Sequence, residues 1–394
     1  MRPYTLQVKF GKTDINITIN SLLELIIIQD INKYLPEFRL RVRDITGFFT
    51  HLSPSDSEMN NVEIDIGCVD YNGRLVNNNF KFKVYTKRPE SLDQTESVVY
   101  NIAGLLNVDG LMNPTYSRGF SGKVSNTLKT ISSELTNIDK VRISPSLDYN
   151  LNILQPKWTN IQLLNDLKNN LSGEYQEYGY KCNIQTIGSK NIFKFISLTE
   201  LLNNSISYKF IVNDEFYKDR YPVYKYEIYD YNGIYRNLGL KAQRYGYFDY
   251  YTSQYITEEE YIEDYLSLSK YYLVDTGDTQ SSNEITTTGR TNDFNGYFGG
   301  RVRNEFANKI NNLVKMRITT HGLPNIVPGQ IVQIFFPQAN KTDNLFSFQY
   351  AGYWLVENVV HNIGNVFLSQ LLLTRSGLDT NRITSMLKAR KVKR

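Results

Sequence analysis

Histidine, cysteine and clustered acids carry most hydrolytic, redox and metal chemistry, so their spacing is read first. The three histidines, His51, His321 and His361, form no zinc ligand set and no H-E-x-x-H pattern. His361, in "VENVVHNIG", stands near the end of an expected strand and reads as a hydrogen-bonded structural histidine. Cys68 and Cys182 are the only cysteines, which gives neither a disulfide framework nor a metal site. "GFSGKVS" (119–125) evokes a phosphate loop. It fails the spacing, because residue 117 is Ser and Lys123 is followed by Val124. Ser121 there reads as a helix cap. The densest carboxylates, Glu258, Glu259, Glu260, Glu263 and Asp264, are the one place to look for a glycosidic acid–base pair. Interleaved with tyrosines, they read instead as a solvated or partner-facing helix. No catalytic, cofactor or metal site is expected.

Charge on strands is the remaining signal. "FRLRVRD" sets Arg39, Arg41 and Arg43 opposite Phe38, Leu40 and Val42. "VEIDIGCVD" sets Glu63 and Asp65 opposite Val62, Ile64 and Ile66, and "FKFKVY" sets Lys81 and Lys83 opposite Phe80, Phe82 and Val84. Period-two alternation marks strands with one buried face. The arginine, acid and lysine rows are expected to pair across neighbouring strands. A subunit interface or solvated face fits the arginine row better than nucleic-acid contact. The C-terminus "LKARKVKR" gathers Lys388, Arg390, Lys391, Lys393 and Arg394. It fits a solvated charged end, or a contact to an acidic partner or nucleic acid.

The elements that would position these residues are legible. The first hundred residues read as strands, with a hairpin turn at Asn72-Gly73. Helices follow at "GKVSNTLKTISSEL", with Val124, Leu128, Ile131 and Leu135 on one face, and at "WTNIQLLNDLKNNLSG", with Ile161, Leu164, Leu167 and Leu171. Thr159 is the expected N-cap of the second and Gly173 its C′ residue. "KCNIQTIG" and "IFKFISL" read as a hairpin. Strands resume at Tyr208. "TQSSNEITTTGRTNDFNG" reads as a long mobile loop, and a helix follows with Val302, Phe306, Ile310 and Leu313 on one face. "KMRITT", "QIVQIFF", "YWLVENVVH" and "VFLSQLLLTR" read as closing strands, the second set off by the Pro328-Gly329 turn.

Two gapless echoes occur in the same order: "LRVRDITGFF" (40–49) with "YEIYDYNGIY" (226–235), and "NNVEIDI" with "PGQIVQI". They imply a duplicated β-domain whose second copy is split. Composition agrees with a folded, turn-rich β protein: 41% hydrophobic, 21% charged, with 30 Tyr and 20 Phe among 394 residues. An AT-rich genome would give the same tyrosine and asparagine bias. A net charge of +4 is too mild for a whole surface built on nucleic acid. "MRPYTLQVKF" has no signal-peptide core, and "LLELIIIQD" is too short to span a bilayer, so synthesis in a reducing compartment without membrane insertion is expected.

Over 301–376 the chain resembles the central baseplate hub proteins of contractile-tailed bacteriophages, relatives of the N-terminal part of type VI secretion spike proteins. "VRNEFANKINNL" leads to "KMRITT", then "HGLPNIVPGQ", "IVQIFF" and "GYWLVENVVHNIGNVFLSQLLLTR". The family carries a similar Pro-Gly turn, a strand ending V-x-x-V-x-H and a leucine-rich closing strand. "ILQPKWTNIQLLNDLKNN" and a first β-domain of about a hundred residues extend the likeness, which fails over the Tyr-rich 241–300.

The resemblance implies an α+β, mainly β fold. It has two similar tube-type antiparallel β-barrel or sandwich domains, an α+β middle domain and an insertion. The implied boundaries are 1–103, 104–207, 208–240 with 309–376, the insertion 241–308 and a tail 377–394. It further implies a homotrimeric, non-enzymatic hub in the virion, made in the host cytoplasm without cofactors. Its partners would be the tail tube protein, a separate spike, and tape-measure and baseplate wedge proteins. DNA would pass in transit, without specific readout. The charge rows would suit subunit interfaces or the lumen. The rival readings are a tail-tip protein of a non-contractile phage, a tail-associated cell-wall hydrolase, and an adhesin that binds receptors through the insertion.

Overall fold

The computed structural model describes residues 3–11, 21–45, 47–52, 60–90, 98–171, 177–212, 219–230, 242–249, 253–261, 284–286, 295–336 and 350–376. The chain opens with strands β1 (Tyr4–Phe10), β2 (Leu22–Asp30) and β3 (Glu37–Arg43), and a short helix α1 (Phe48–His51). Strands β4 (Asn61–Val69), β5 (Leu75–Glu90) and β6 (Val99–Leu106) follow. They pair antiparallel in the order β1-β4-β5-β6-β3-β2. The alternation read from the sequence sets this register: Phe38, Leu40, Val42, Val62, Ile64, Ile66, Phe80 and Phe82 are all buried. Each such side chain stabilises by roughly 1.5–3 kcal/mol on burial, against a fraction of a kcal/mol for a polar cross-strand pair. The apolar rows therefore choose the register and the charged rows follow. At the β4–β5 turn, Asp70 Oδ1 accepts from the backbone N–H of Asn72 and of Arg74, both at 2.8 Å, and Gly73 takes φ 79°.

A middle unit follows: β7 (Tyr116–Phe120), α2 (Val124–Ser133), β8 (Lys140–Ile143), β9 (Ile153–Trp158), α3 (Asn160–Asn170), β10 (Lys181–Ile187), β11 (Lys190–Ile196) and α4 (Leu198–Leu202). β10 and β11 form the expected hairpin, and β8 joins β11 in parallel. Thr159 caps α3 in a reciprocal box with Gln162, while Gly173 lies outside the described residues.

The rest comprises β12 (Ile206–Ile211), β13 (Tyr221–Asp230), β14 (Ala242–Asp249), β15 (Gln254–Tyr261) and β16 (Glu284–Thr286). Helix α5 (Asn295–Asn311) then leads to β17 (Val314–His321), β18 (Ile331–Phe335), β19 (Gly352–Ile363) and β20 (Phe367–Arg375). β14 pairs with β15 and β16 in a small separate sheet. The other six close a barrel in the order β12-β18-β19-β20-β17-β13, returning from β13 to β12.

That order repeats the first set. Numbered within each set, both run first, fourth, fifth, sixth, third, second. The first strand differs in two ways: β1 runs antiparallel to β4 whereas β12 runs parallel to β18, and β12 also pairs with β13 to close its set, whereas β1 has no pairing with β2 among the described residues. The second set is interrupted between its second and third strands by β14, β15, β16 and α5. The duplication thus stands, with one amendment. "NNVEIDI" and "PGQIVQI" do mark equivalent strands, β4 and β18. The other echo matches β3 with β13, which hold the third and second places of their sets. Strands that end in Asp-x-x-Gly look alike at that length.

The two sets are joined along β19. Its first part pairs with β18, and Asn358–Ile363 pairs with β2. The β19–β20 hairpin tip enters the first core, where Ile363 and Phe367 are buried, and the Tyr4 hydroxyl donates to the Gly364 carbonyl. The loop 322–330 lies between the sets and the middle unit, and it is buried along most of its length. Its carbonyls are satisfied from outside: Gln185 Nε2 donates to Pro328 O at 2.6 Å, and Asn78 Nδ2 to Pro324 O at 2.8 Å. Gly329, at φ 81°, turns the chain into β18, and a Cβ there would meet Leu201 Cδ2 at 3.0 Å.

Candidate interface surfaces

The charged rows occupy the outer face of the first sheet, at distances that the strand order dictates. β5 and β6 lie between β4 and β3, so the arginine row does not adjoin the acid row. Arg39 Nε instead donates to Glu37 Oε1 at 2.7 Å, and this hydrogen bond raises the Arg39 pKa. Arg41 grips Glu90 with two bonds, Nε to Oε2 at 2.9 Å and Nη2 to Oε1 at 3.1 Å. The Arg43 Nε is buried without a hydrogen-bond partner among the described residues. Glu63 stands between Lys9 and Lys81 in register, as the alternation implies, and accepts from Asn79 Nδ2 at 3.0 Å. Asp65 lies between Gln7 and Asn79, and Lys83 stands 3.8 Å from Asp109. Exposed pairs of this kind contribute about 0–1 kcal/mol each, so they orient side chains more than they hold the fold. Lys388, Arg390, Lys391, Lys393 and Arg394 lie outside the described residues.

His321 and His361 lie where the two sets meet, while His51 is exposed at the end of α1. His361 on β19 is fully buried, and its Nδ1 lies 3.0 Å from Ser369 Oγ on β20. Its role is structural, as its place in the strand implies. Cys68 on β4 and His321 on β17, both buried, place Sγ 3.0 Å from Nε2. A thiol beside an imidazole is a nucleophile–base arrangement, but this one is sealed in packing and reads as a clasp across the seam. The residues are 253 apart in sequence, and no local motif links them. Among the described residues, no three of His, Cys, Asp and Glu converge to hold a metal ion.

Two local readings change. The acidic run is not a helix: Glu258, Glu259 and Glu260 lie on β15, paired with β14, while Glu263 and Asp264 fall outside the described residues. Ser121 does not cap α2. The N-cap is Lys123, without a side-chain cap, and the Lys123 ammonium and Ser125 hydroxyl both bond Asp148, at 2.6 and 2.8 Å. Of the expected face of α5, Ile310 and Leu313 are buried, and the side chains of Val302 and Phe306 lie outside the described residues. In "TQSSNEITTTGRTNDFNG", Glu284–Thr286 form β16 and Asn295 opens α5; the residues between lie outside the described set.

No family model and no curated protein matches the sequence. The architecture nevertheless has solved counterparts, and the fold is that of phage tail proteins. The 43 kDa tail protein of prophage MuSo2 from Shewanella oneidensis superposes with a TM-score of 0.60 at 10% identity, over 96% of this chain and 100% of that one. The tail protein from Neisseria meningitidis MC58 gives 0.55 at 11% identity, over 95% and 97%.

Proposed function

We propose that the chain is the structural hub at the tip of a phage tail tube. Three copies form a ring that adapts the six-fold tube to a three-fold, cell-puncturing spike supplied by a separate chain. The lumen lets DNA pass unread. The observation that carries this reading is the strand order that occurs twice in one polypeptide. Three chains with two such units each present six similar faces upward and keep three-fold symmetry below, so neither interface is mismatched. The likeness to the two tail proteins supports the same setting.

In this reading 1–103 and 208–240 with 309–376 are the tube-like units, 104–207 is the middle domain and 241–308 the insertion. The rows of Arg39, Arg41, Arg43, Glu63, Asp65, Lys81 and Lys83 face neighbouring subunits or the lumen, and the tail 377–394 meets a further tail component. The test is assembly. Mixed with its tube and spike proteins, the chain should give negative-stain particles in which a tube grows from one face and a spike from the other. Tubes that form equally well without it overturn the reading.

A further inference from the structure

Where the two strand sets and the middle unit meet, the inner rows of the first set end in amides. On β2 the row Leu25, Ile27 runs on to Gln29, and on β5 the row Phe82, Phe80 runs on to Asn78, all of them buried. On β19, His361 is the cross-strand partner of Ile27, and Val359 is that of Gln29. Gln29 and His361 are therefore diagonal neighbours on one buried face. Diagonal residues stand about 7–8 Å apart, within reach of a long side chain and an imidazole.

Hydrogen bonds close these residues into a ring. Gln29 Oε1 accepts from the Thr186 N–H at 3.4 Å, and Asn78 Nδ2 donates to the Thr186 carbonyl at 3.2 Å. Asn78 Nδ2 also donates to Pro324 O at 2.8 Å, and the preceding Leu323 donates its N–H to Ser369 Oγ at 2.9 Å. Ser369 Oγ lies 3.0 Å from His361 Nδ1, and the β19–β2 ladder leads back to Gln29. The ring thus draws on both strand sets, on the middle unit through β10, and on the loop 322–330. Its bonds fix both amide orientations, since Asn78 meets two carbonyls with its nitrogen and Gln29 meets an N–H with its oxygen. Left over are a donor, Gln29 Nε2, an acceptor, Asn78 Oδ1, and His361 Nε2. All three are buried, and none has a hydrogen-bond partner among the described residues.

Polar atoms enclosed in this way are seldom left unbonded, and a buried water typically makes about three hydrogen bonds to such groups. We propose that the ring holds one water molecule, which accepts from Gln29 Nε2, donates to Asn78 Oδ1 and takes His361 Nε2 as its third partner. Both tautomers of the ring serve. When the Ser369 hydroxyl donates to Nδ1, Nε2 carries the hydrogen and donates to the water. When Nδ1 carries it, the second hydrogen of the water goes to Nε2. The water is bonded to both strand sets and enclosed with the middle unit, so it leaves only when these parts separate. Its lifetime therefore measures the opening of the joint. The inference is independent of the hub reading.

The test is a high-resolution crystal structure of the full chain, joined to deuteron magnetic relaxation dispersion, which counts long-lived waters held inside a protein in solution. An ordered water within hydrogen-bond distance of Gln29 Nε2, Asn78 Oδ1 and His361 Nε2 is expected. In Gln29→Met a side chain of similar length brings a methyl group to where the amide nitrogen stood. The folded variant should hold one long-lived water fewer than the parent. The three atoms bonded directly to one another or to other protein groups, with no water between them, overturn the proposal. A count that Gln29→Met leaves unchanged overturns it as well. Should the variant fail to fold, the crystal structure of the parent decides alone. Neither result bears on whether the chain joins tube and spike.

Discussion

At His361 burial alone decides the charge state. The ring is fully enclosed, its Nε2 has no hydrogen-bond partner among the described residues, and desolvation pushes its pKa from 6.5 down to about 4. The unfolded chain therefore binds a proton between pH 6.5 and pH 4 that the folded chain refuses. The stability contributed by the neutral ring is complete above pH 6.5 and declines as pH falls through that window, by roughly 3 kcal/mol in all. Urea unfolding at pH 7 and pH 4 should show this decline in the parent and a smaller one in His361→Gln. Equal declines in the two would place the titration elsewhere. The structural role of His361 was legible, because its strand and its position near the strand end were legible. The Cys68–His321 contact was not, because it depends on how two distant strands end against each other.

Among the elements, helix α5 is fastened to α3 by one amide. Asn304 Nδ2 donates to the carbonyls of Asn169 and Leu171 at 3.0 and 2.7 Å, and its Oδ1 accepts from Gly179 N–H at 2.7 Å. Asn304→Ala leaves these buried groups unsatisfied and should cost about 2–3 kcal/mol in urea unfolding, whereas an exposed neighbour such as Glu305→Ala should cost under about 0.5. Gly104 on β6 is set by close approach. A Cβ there would lie 2.4 Å from both Lys83 O and Phe38 Cε1. Gly104→Val should therefore destabilise by at least about 1–3 kcal/mol through overpacking, and an unchanged melting temperature would contradict the tight β5–β6–β3 packing. Strands with period-two alternation, and the capped helix α3, were readable because each residue type reports its own burial or cap. Neighbour relations were not. The rows of β3, β4 and β5 look like natural partners in sequence, yet β6, which follows later in the chain, inserts between β5 and β3. The acidic run on β15 carries no helix or strand period strong enough to decide between the two.

For the whole molecule, "GLPNIVPGQIVQIFFP" announces a late strand, and the structure shows what the approach to it does. The buried loop 322–330 takes bonds from Gln185 and Asn78, so the two six-strand sets and the middle unit are held in one arrangement. In the proposed ring, such an arrangement would keep the two similar faces at a fixed angle. The duplicated order was half legible, since one of the two echoes named equivalent strands. The ring proposed from it lies beyond any single chain. The central claim is tested most directly by the mass of the purified protein with its spike, measured by sedimentation equilibrium. The account predicts three copies of this chain per particle, and a monomer persisting at high concentration with spike present would contradict it.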